Sequence, residues 1–426
     1  MLSYLPLIFV LVGLVLYTVL AGADMGAGLW QLMTGRGPHA VRIRDHAHHT
    51  IGPVWEANHV WLIFVLTVLW TSYPTVFGSI LSTLSVPFFL AAIGIILRGA
   101  AYALQSGTSI PRERRVIDTV FALSSILTPF ALGAAVGGVA SRRVPVGNAA
   151  GNLITSWLNP TSILVGVLAV MVAAFLAAVY LCSDAVRLGE PELVRSFRAR
   201  AIGTGVITGV ISIAGLAVLR FDAAPLFDGL VHGPGLAAII VSGLAGIATL
   251  LLVGRRNPMR ARGTAALAVA AIIAGWALAQ QPVLLPGLTV EQAAASNRTM
   301  LAVVIAVLGG AVILFPSLAL LFRLVLHGRF DPGAADAPAT EVTPAPRPAR
   351  GHGLQAWSAV GSLVVGAGLL VLADTGWAQA LGVVFLANFI VLGYLACTPA
   401  DIAAADPQKT GRSTTMEVTR ADPTVR

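Results

Sequence analysis

Residues 4–23 read YLPLIFVLVGLVLYTVLAGA, a stretch of twenty residues without a charged side chain. A helix of about 20 apolar residues crosses a bilayer core of roughly 30 Å, so this stretch predicts a membrane-spanning helix. Runs of this kind recur along the chain, whose 426 residues are 57% apolar and only 11% charged. A soluble domain carries about 25% charged residues, so water is not the main solvent of this protein.

The apolar runs predict eleven membrane spans and hence an all-α integral membrane protein. The uncharged run that opens the first span ends in Ala21-Gly22-Ala23, which imitates a signal-peptidase site. No Lys or Arg precedes the apolar run, so we interpret it as a retained helix. The predicted spans cover residues 4–32, 53–71, 75–104, 116–140, 161–182, 201–219, 235–253, 264–280, 300–326, 356–373 and 377–396.

The net charge of +8 and the pI near 10.3 first suggest a nucleic-acid binder, but the positions of the basic residues argue against one. If Met1 lies outside the membrane, 23 of the 27 Lys and Arg residues fall in inside segments. Such an asymmetry is typical of positive-inside insertion. The sequence therefore predicts an outside N-terminus, a cytoplasmic C-terminus and no nucleic-acid partner.

Composition changes abruptly after the ninth span. Residues 1–328 predict one transmembrane domain, and residues 329–353 are rich in Pro and Ala and predict a flexible linker. Residues 354–397 contain the last two spans. The polar residues 398–426 predict a disordered cytoplasmic tail.

Four ionisable residues occur within or at the ends of the first four spans, and each needs a reason. A charged side chain at a helix centre costs about 2.5–3.5 kcal/mol on insertion scales. Odd-numbered spans run inward and even-numbered spans run outward, so all four residues fall in the cytoplasmic leaflet. If these helices pack together, the four groups surround a polar volume that opens to the cytoplasm and conducts protons. The residues are Asp24, Glu56, Arg98 and Asp118.

Helical spacing adds a relay to this hypothesis. His59 follows Glu56 by three residues and shares its face, whereas Asn58 is turned roughly 160° away at 100° per residue. A carboxylic acid and an imidazole on one face suit proton transfer. Simpler interpretations stay open: Glu56 forms a structural pair with Arg98, the two Asp residues cap helices, or Arg98 reaches the interface.

The neighbouring residues predict packing rather than chemistry. Trp55 and Trp61 are typical of interfacial or packing aromatics, and Gly22 and Gly26 favour close helix contact. The histidines of the first inner loop have no Cys or carboxylate companion, so we expect solvated side chains and no metal site. These histidines are His39, His46, His48 and His49.

The sequence GADMGAG at 22–28, followed by GPVWEANHVWL at 52–62, resembles subunit II of the cytochrome bd quinol oxidases. The resemblance continues through IILRGAAY at 95–102, RVIDTVFALSS at 115–125 and WLNP at 157–160, and it covers residues 1–328. It implies a nine-helix core of two four-helix bundles plus one peripheral helix. The last two helices have no counterpart in the family.

The resemblance also implies partners, cofactors and a place in the bacterial cell (inner) membrane. In this family, subunit I carries haem b, haem d and the quinol site, and subunit II ligates no haem and has no catalytic residue. The complex oxidises quinol and reduces dioxygen to water. Subunit II contributes to proton uptake, which implies a proton pathway through Glu56, Asp24, His59, Arg98 and Asp118, with Asn58 as a motif residue. The resemblance leaves open whether a structural quinone or lipid lies between the bundles.

Two other classes of protein remain as alternatives. A proton-coupled secondary transporter would use intramembrane acidic residues for ion binding, with broken helices in related halves. The proline interruptions at Pro87 and Pro316 do not form a convincing pair of this kind. A haem-binding subunit would use His59 as an axial ligand.

Overall fold

The computed structural model describes residues 2–34, 37, 41–44, 46–47, 55–105, 111–255, 257–326, 353–372 and 376–397. The predicted linker before Gly353, the predicted tail and three of the loop histidines, His39, His48 and His49, lie outside the described residues. Two compact units, Met1–His327 and Gly328–Arg426, divide the chain.

In the described part of the first unit, the regular structure is helical apart from a short antiparallel hairpin, β1 (Val283–Leu285) and β2 (Leu288–Thr289). A single 3-10 turn, Leu2–Tyr4, precedes the first helix. The helices are α1 (Leu5–Met33), α2 (Trp55–Ser72), α3 (Pro74–Thr83), α4 (Ser85–Gln105), α5 (Pro111–Ala140), α6 (Pro160–Arg187), α7 (Pro191–Asp222), α8 (Ala224–Val231), α9 (Leu236–Gly254), α10 (Pro258–Gln280), α11 (Val290–Ala293) and α12 (Asn297–Leu326).

Where the structure describes them, the predicted spans are helical, and the class of all-α integral membrane protein is confirmed. Within the described residues, eight helices are long and apolar enough to cross a membrane. The described parts of two further predicted spans give shorter apolar helices, Asn58–Ser72 and Trp357–Gly366. The count of eleven spans therefore stays a prediction.

The third predicted span is wrong as a single helix, because it breaks at Leu84 into α3 and α4. Pro87 lacks the N–H that would bond to the carbonyl of Thr83, and its ring crowds that carbonyl. Pro316 and Pro129 lie inside α12 and α5, which continue through them.

Helix α1 lies at the centre of the first unit and packs against α2, α5 and α6. Helix α4 packs on α5, α6 packs on α7 and α10, and α9 packs on α10. Gly26 allows the closest of these approaches, because a Cβ at this position would overlap the backbone carbonyl of Ala173 on α6. The grouping into two four-helix bundles and a peripheral helix stays a prediction.

Local signals fix the start of α6. The Asn159 side chain accepts a hydrogen bond from the Ser162 N–H at 2.9 Å, and Pro160 occupies the first helical position. Such a cap satisfies an N–H that the helix cannot pair, and proline has no N–H to lose there.

The second unit contains α13 (Gly353–Leu372) and α14 (Gly376–Cys397), which pack against each other. Asn388 Nδ2 donates to Ser362 Oγ at 2.9 Å, and Gly366 faces the carbonyl of Gly382. A polar contact between two apolar helices fixes their register, since a shift would leave both groups unpaired.

Candidate functional site: a buried ion pair between helices

Asp24 lies nine residues before the end of α1 and is only 2% exposed. Its Oδ1 accepts a hydrogen bond from Arg98 Nη2 at 2.5 Å, and its backbone carbonyl accepts from the same nitrogen at 3.0 Å. The two side chains are 3% and 6% exposed, so the ion pair is buried in protein. Removing one partner of such a pair would leave an uncompensated buried charge.

Helix α5 holds the other side of the Arg98 guanidinium. Arg98 Nη1 donates to Ser125 Oγ, and the guanidinium carbon lies 4.2 Å from the centroid of the Phe121 ring. Ser125 donates in turn to the Phe121 carbonyl at 2.6 Å, as the four-residue spacing allows. Gly28 leaves room for this contact, because a Cβ there would meet both Ser125 Oγ and Arg98 Nη1.

Asn58 of α2 also contacts the Asp24 carboxylate. Its side chain is fully buried, and its Nδ2 lies 3.5 Å from Asp24 Oδ2, at the upper limit of a hydrogen bond. Four helices, α1, α2, α4 and α5, therefore meet at one buried polar group of residues. We call it the Asp24 cluster, and it consists of Asp24, Asn58, Arg98, Phe121 and Ser125.

The remaining residues of the predicted proton pathway lie near this cluster in sequence. Glu56 falls in the first turn of α2, but its side chain lies outside the described residues. His59 is half-buried on the same helix. Asp118 is half-buried on α5, seven residues before Ser125 and thus two turns away on nearly the same face.

Sequence reasoning missed Ser125 and Phe121 and treated Asn58 only as a motif residue. Ser124 and Ser125 were visible as adjacent hydroxyls inside an apolar span. Polar groups in such a span need partners, and that was the available signal. No property of the sequence selects Phe121 from the many apolar residues around it.

The predicted packing residues line the contacts of α1. Trp61 is 7% exposed and lies edge-on to Phe64, with ring centroids 6.0 Å apart. It packs with Tyr17, Ala21 and Met25 of α1. A Cβ at Gly22 would come within 3.1 Å of Leu176 Cδ1 on α6, so this glycine also lies at a tight helix contact.

The expectation of solvated loop histidines is wrong for His46, which is only 7% exposed. Its Nε2 lies 3.1 Å from the carbonyl of Leu181, and its ring packs against Phe197. A carbonyl oxygen can only accept, so Nε2 donates to it, and this contact satisfies one ring N–H within an apolar environment.

Haem ligation by this chain would need an axial ligand such as an imidazole. Among the described histidines, His46 contacts the carbonyl of Leu181, His59 is half-buried on α2, and His232 is largely exposed beside Asp228. Within the same residues, no three His, Cys, Asp or Glu side chains come together as a metal-binding group. The absence of a haem ligand from this chain stays a prediction.

The sequence did not suggest a second Asp–Arg pair, which lies where α5 and α7 end and α6 begins. Arg143 donates to both oxygens of Asp222, from Nη1 to Oδ2 at 2.9 Å and from Nη2 to Oδ1 at 2.6 Å. Thr161 donates to Oδ2 from its N–H at 3.0 Å and from its hydroxyl at 2.6 Å. We call Arg143, Thr161 and Asp222 the Asp222 cluster.

The pattern that defines cytochrome bd terminal oxidase subunit II matches residues 2–325. The chain belongs to the cytochrome bd oxidase subunit II family. The prediction of this family is confirmed, and nothing in the comparisons supports the transporter. Family members are parts of quinol oxidase complexes, and the family and the apolar helices together establish a multi-pass membrane protein.

Relatives of known name are distant. The chain is 22% identical over 242 residues to a cytochrome bd menaquinol oxidase subunit II of Bacillus subtilis, covering 55% of this chain and 68% of that protein. It is 29% identical over 221 residues to the cytochrome bd-I ubiquinol oxidase subunit 2 of Escherichia coli. That match covers 50% of this chain and 56% of the relative.

A solved structure shares the fold. A chain of the bd oxidase from Geobacillus thermodenitrificans superposes with a TM-score of 0.59 at 23% identity. The match covers 76% of this chain and 99% of that one.

Proposed function

We propose that this chain supports a haem-bearing subunit I in a bd-type quinol:dioxygen oxidoreductase and contributes to proton uptake from the cytoplasm. Family membership over residues 2–325 supports the first part. The buried Asp24–Arg98 pair, where four helices meet, carries the second. A buried charge is expensive in a membrane protein, so a functional reason for keeping it is the default expectation.

In this proposal, the members of the pathway have different roles. Asp24 and Arg98 are committed to each other and fix the charge balance around the path. Glu56 exchanges the proton with His59, which follows it by three residues on α2, because a carboxyl group and an imidazole are side chains that can pass on a proton. Asp118, nearer the start of α5, receives protons from the cytoplasm.

The proposed partners and cofactors rest on the same family membership. The proposed complex holds haem b and haem d in subunit I, with none ligated here, and it takes quinol and dioxygen as substrates. The relatives are named for menaquinol and for ubiquinol, so only the quinol class is proposed. The N-terminus lies outside, and the cytoplasmic ends of α1 and α4 face the proton source.

The proposed domain organisation keeps 1–328 as the family domain, 329–353 as a linker, 354–397 as an added pair of membrane helices and 398–426 as a tail. The division of the chain into Met1–His327 and Gly328–Arg426 supports the first boundary. The end of the family match at residue 325 supports it independently.

Purification of the tagged full chain from native membranes in mild detergent tests the complex. A co-purifying larger subunit with b- and d-type haem absorption is expected. A colourless chain isolated alone would contradict the proposal and favour the transporter. A Soret band from this chain without subunit I would contradict the placement of the haems.

The Glu56→Gln variant tests the pathway in the assembled complex. The amide keeps the size of the side chain and cannot exchange a proton, so quinol oxidase turnover and proton uptake are expected to fall by about 100-fold or more. Glu291→Gln, on an exposed turn of α11, is the matched control and should behave as the unmodified complex. Unchanged turnover and uptake in Glu56→Gln would overturn this part of the proposal.

A further inference from the structure

Two polar atoms at the α1–α2 contact are buried and have no hydrogen-bond partner among the described residues. They are the hydroxyl oxygen of Tyr17 and the Oδ1 of Asn58. Tyr17 is 6% exposed and Asn58 is 0% exposed. Buried polar atoms are almost always bonded, to protein or to ordered water, so two such atoms at one contact need an explanation.

Both residues face the same interface. Tyr17 precedes Asp24 by seven residues, so the two share one face of α1 and lie about 10.5 Å apart along its axis. Tyr17 packs with Trp61 of α2, and Asn58 lies one turn before Trp61 on that helix.

Asp24 offers a third group on this face. Its Oδ1 is taken by Arg98, whereas its Oδ2 has only the 3.5 Å contact with Asn58 Nδ2. The interface therefore presents a hydroxyl donor and two acceptor oxygens with spare capacity. A buried water molecule is held by two to four such groups, and only apolar cavities stay dry.

We propose that the α1–α2 interface binds a short file of water molecules between Asp24 Oδ2, Asn58 Oδ1 and the Tyr17 hydroxyl. The waters donate to the two acceptor oxygens, and Tyr17 donates to the nearest water. More than one molecule is proposed because Tyr17 and Asp24 lie about 10.5 Å apart along the axis of α1, whereas the hydrogen bonds of a water molecule are about 2.8 Å long. The file extends the Asp24 cluster by two turns toward the start of α1.

The presence of this water is independent of the proposed function. The role of the water in proton delivery rests on the proposed function. A file of hydrogen-bonded water passes protons between groups that are too far apart for direct contact. Tyr17 and Asn58 are then positioning residues, because they hold the water and do not exchange the proton themselves.

A cryo-EM map of the intact complex, at a resolution that shows ordered water, tests the site directly. We expect density within hydrogen-bond distance of Tyr17 Oη and Asn58 Oδ1, and loss of the Tyr17-bound peak in Tyr17→Phe. Tyr73→Phe is the control, because Tyr73 is also fully buried but its hydroxyl already donates to the Ser3 carbonyl at 2.5 Å. A dry interface, or protein groups that satisfy both atoms, would overturn the inference.

Proton uptake separates this inference from the proposed function. Tyr17→Phe should slow uptake by about two- to tenfold, well short of the roughly 100-fold expected when a proton-exchanging group is lost. Tyr73→Phe should not slow it. Water density with normal uptake in Glu56→Gln would uphold the site and refute the function. Absence of water density together with slow proton uptake in Glu56→Gln would refute the water site and uphold the proposed function.

Discussion

The Asp24 cluster and the Asp222 cluster both contain an Asp, an Arg and a hydroxyl group. They differ in how deeply the ion pair is buried and in how many hydrogen bonds the carboxylate oxygens accept. In the Asp222 cluster both carboxylate oxygens are filled by Arg143 and Thr161, and the side chains of Arg143 and Asp222 are 34% and 13% exposed. In the Asp24 cluster the side chains of Arg98 and Asp24 are only 6% and 3% exposed. One carboxylate oxygen, Asp24 Oδ2, nevertheless has only a 3.5 Å contact with Asn58 Nδ2.

This difference distinguishes a structural ion pair, the Asp222 cluster, from a candidate functional site, the Asp24 cluster. A bidentate pair with every acceptor filled holds the loop after α5, the start of α6 and the end of α7 together. Hydrogen bonding to Asp222 raises the pKa of Arg143 above its usual value, so this guanidinium stays charged. A buried ion pair with an acceptor oxygen left over is an energetically expensive way to hold helices together. This cost argues for a role beyond helix packing.

Replacing the arginine of each cluster should give the largest contrast. Arg98→Met leaves Asp24 buried and unpaired, so we expect a loss of about 3–5 kcal/mol in the free energy of unfolding, and poor assembly. Arg143→Met acts at a partly exposed pair and should cost about 1 kcal/mol or less. Thermal unfolding of the purified complexes measures both. Equal losses would remove the distinction between the clusters.

Gly28→Ala should have the next largest effect. Its Cβ would meet Ser125 Oγ and Arg98 Nη1, so we expect a cost of about 1–3 kcal/mol, as for other overpacked sites. Gly99→Ala, beside Arg98 on the same helix, has open space around its Cβ and should stabilise α4 by up to about 1 kcal/mol. The same unfolding assay applies. A neutral Gly28→Ala would mean that the Arg98 site is not tightly packed.

Ser125→Ala should have the smallest effect. The variant removes one acceptor of the Arg98 guanidinium and should cost about 1 kcal/mol. Ser212→Ala on α7 is the control, because its hydroxyl bonds only to the carbonyl of Thr208 within its own helix. We expect no measurable change there. Identical melting temperatures for both variants would show that Ser125 does not hold Arg98.

Much of the fold could be predicted because apolar length and charge asymmetry are properties of the sequence itself. Asp24 and Arg98 were found because a charge in an apolar run is conspicuous. The break at Leu84 could also have been anticipated from Pro87, whose missing N–H interrupts the helix at that point.

The contacts themselves could not be predicted. Arg143 and Asp222 are 79 positions apart, and no spacing rule connects residues on different helices. Burial of His46 against Leu181, 135 positions away, is equally invisible in one sequence. The Asn58 contact was missed because helical spacing related it only to Glu56 on its own helix, and not to Asp24 on the neighbouring one.

Proton uptake by Asp24→Asn and Asp222→Asn complexes in proteoliposomes tests the central claim most directly. Both variants remove a carboxylate charge and keep the shape of the side chain. The account predicts slow uptake and turnover for assembled Asp24→Asn, and normal uptake with a lowered melting temperature for Asp222→Asn. Normal uptake in assembled Asp24→Asn, or equal slowing in both variants, would contradict it.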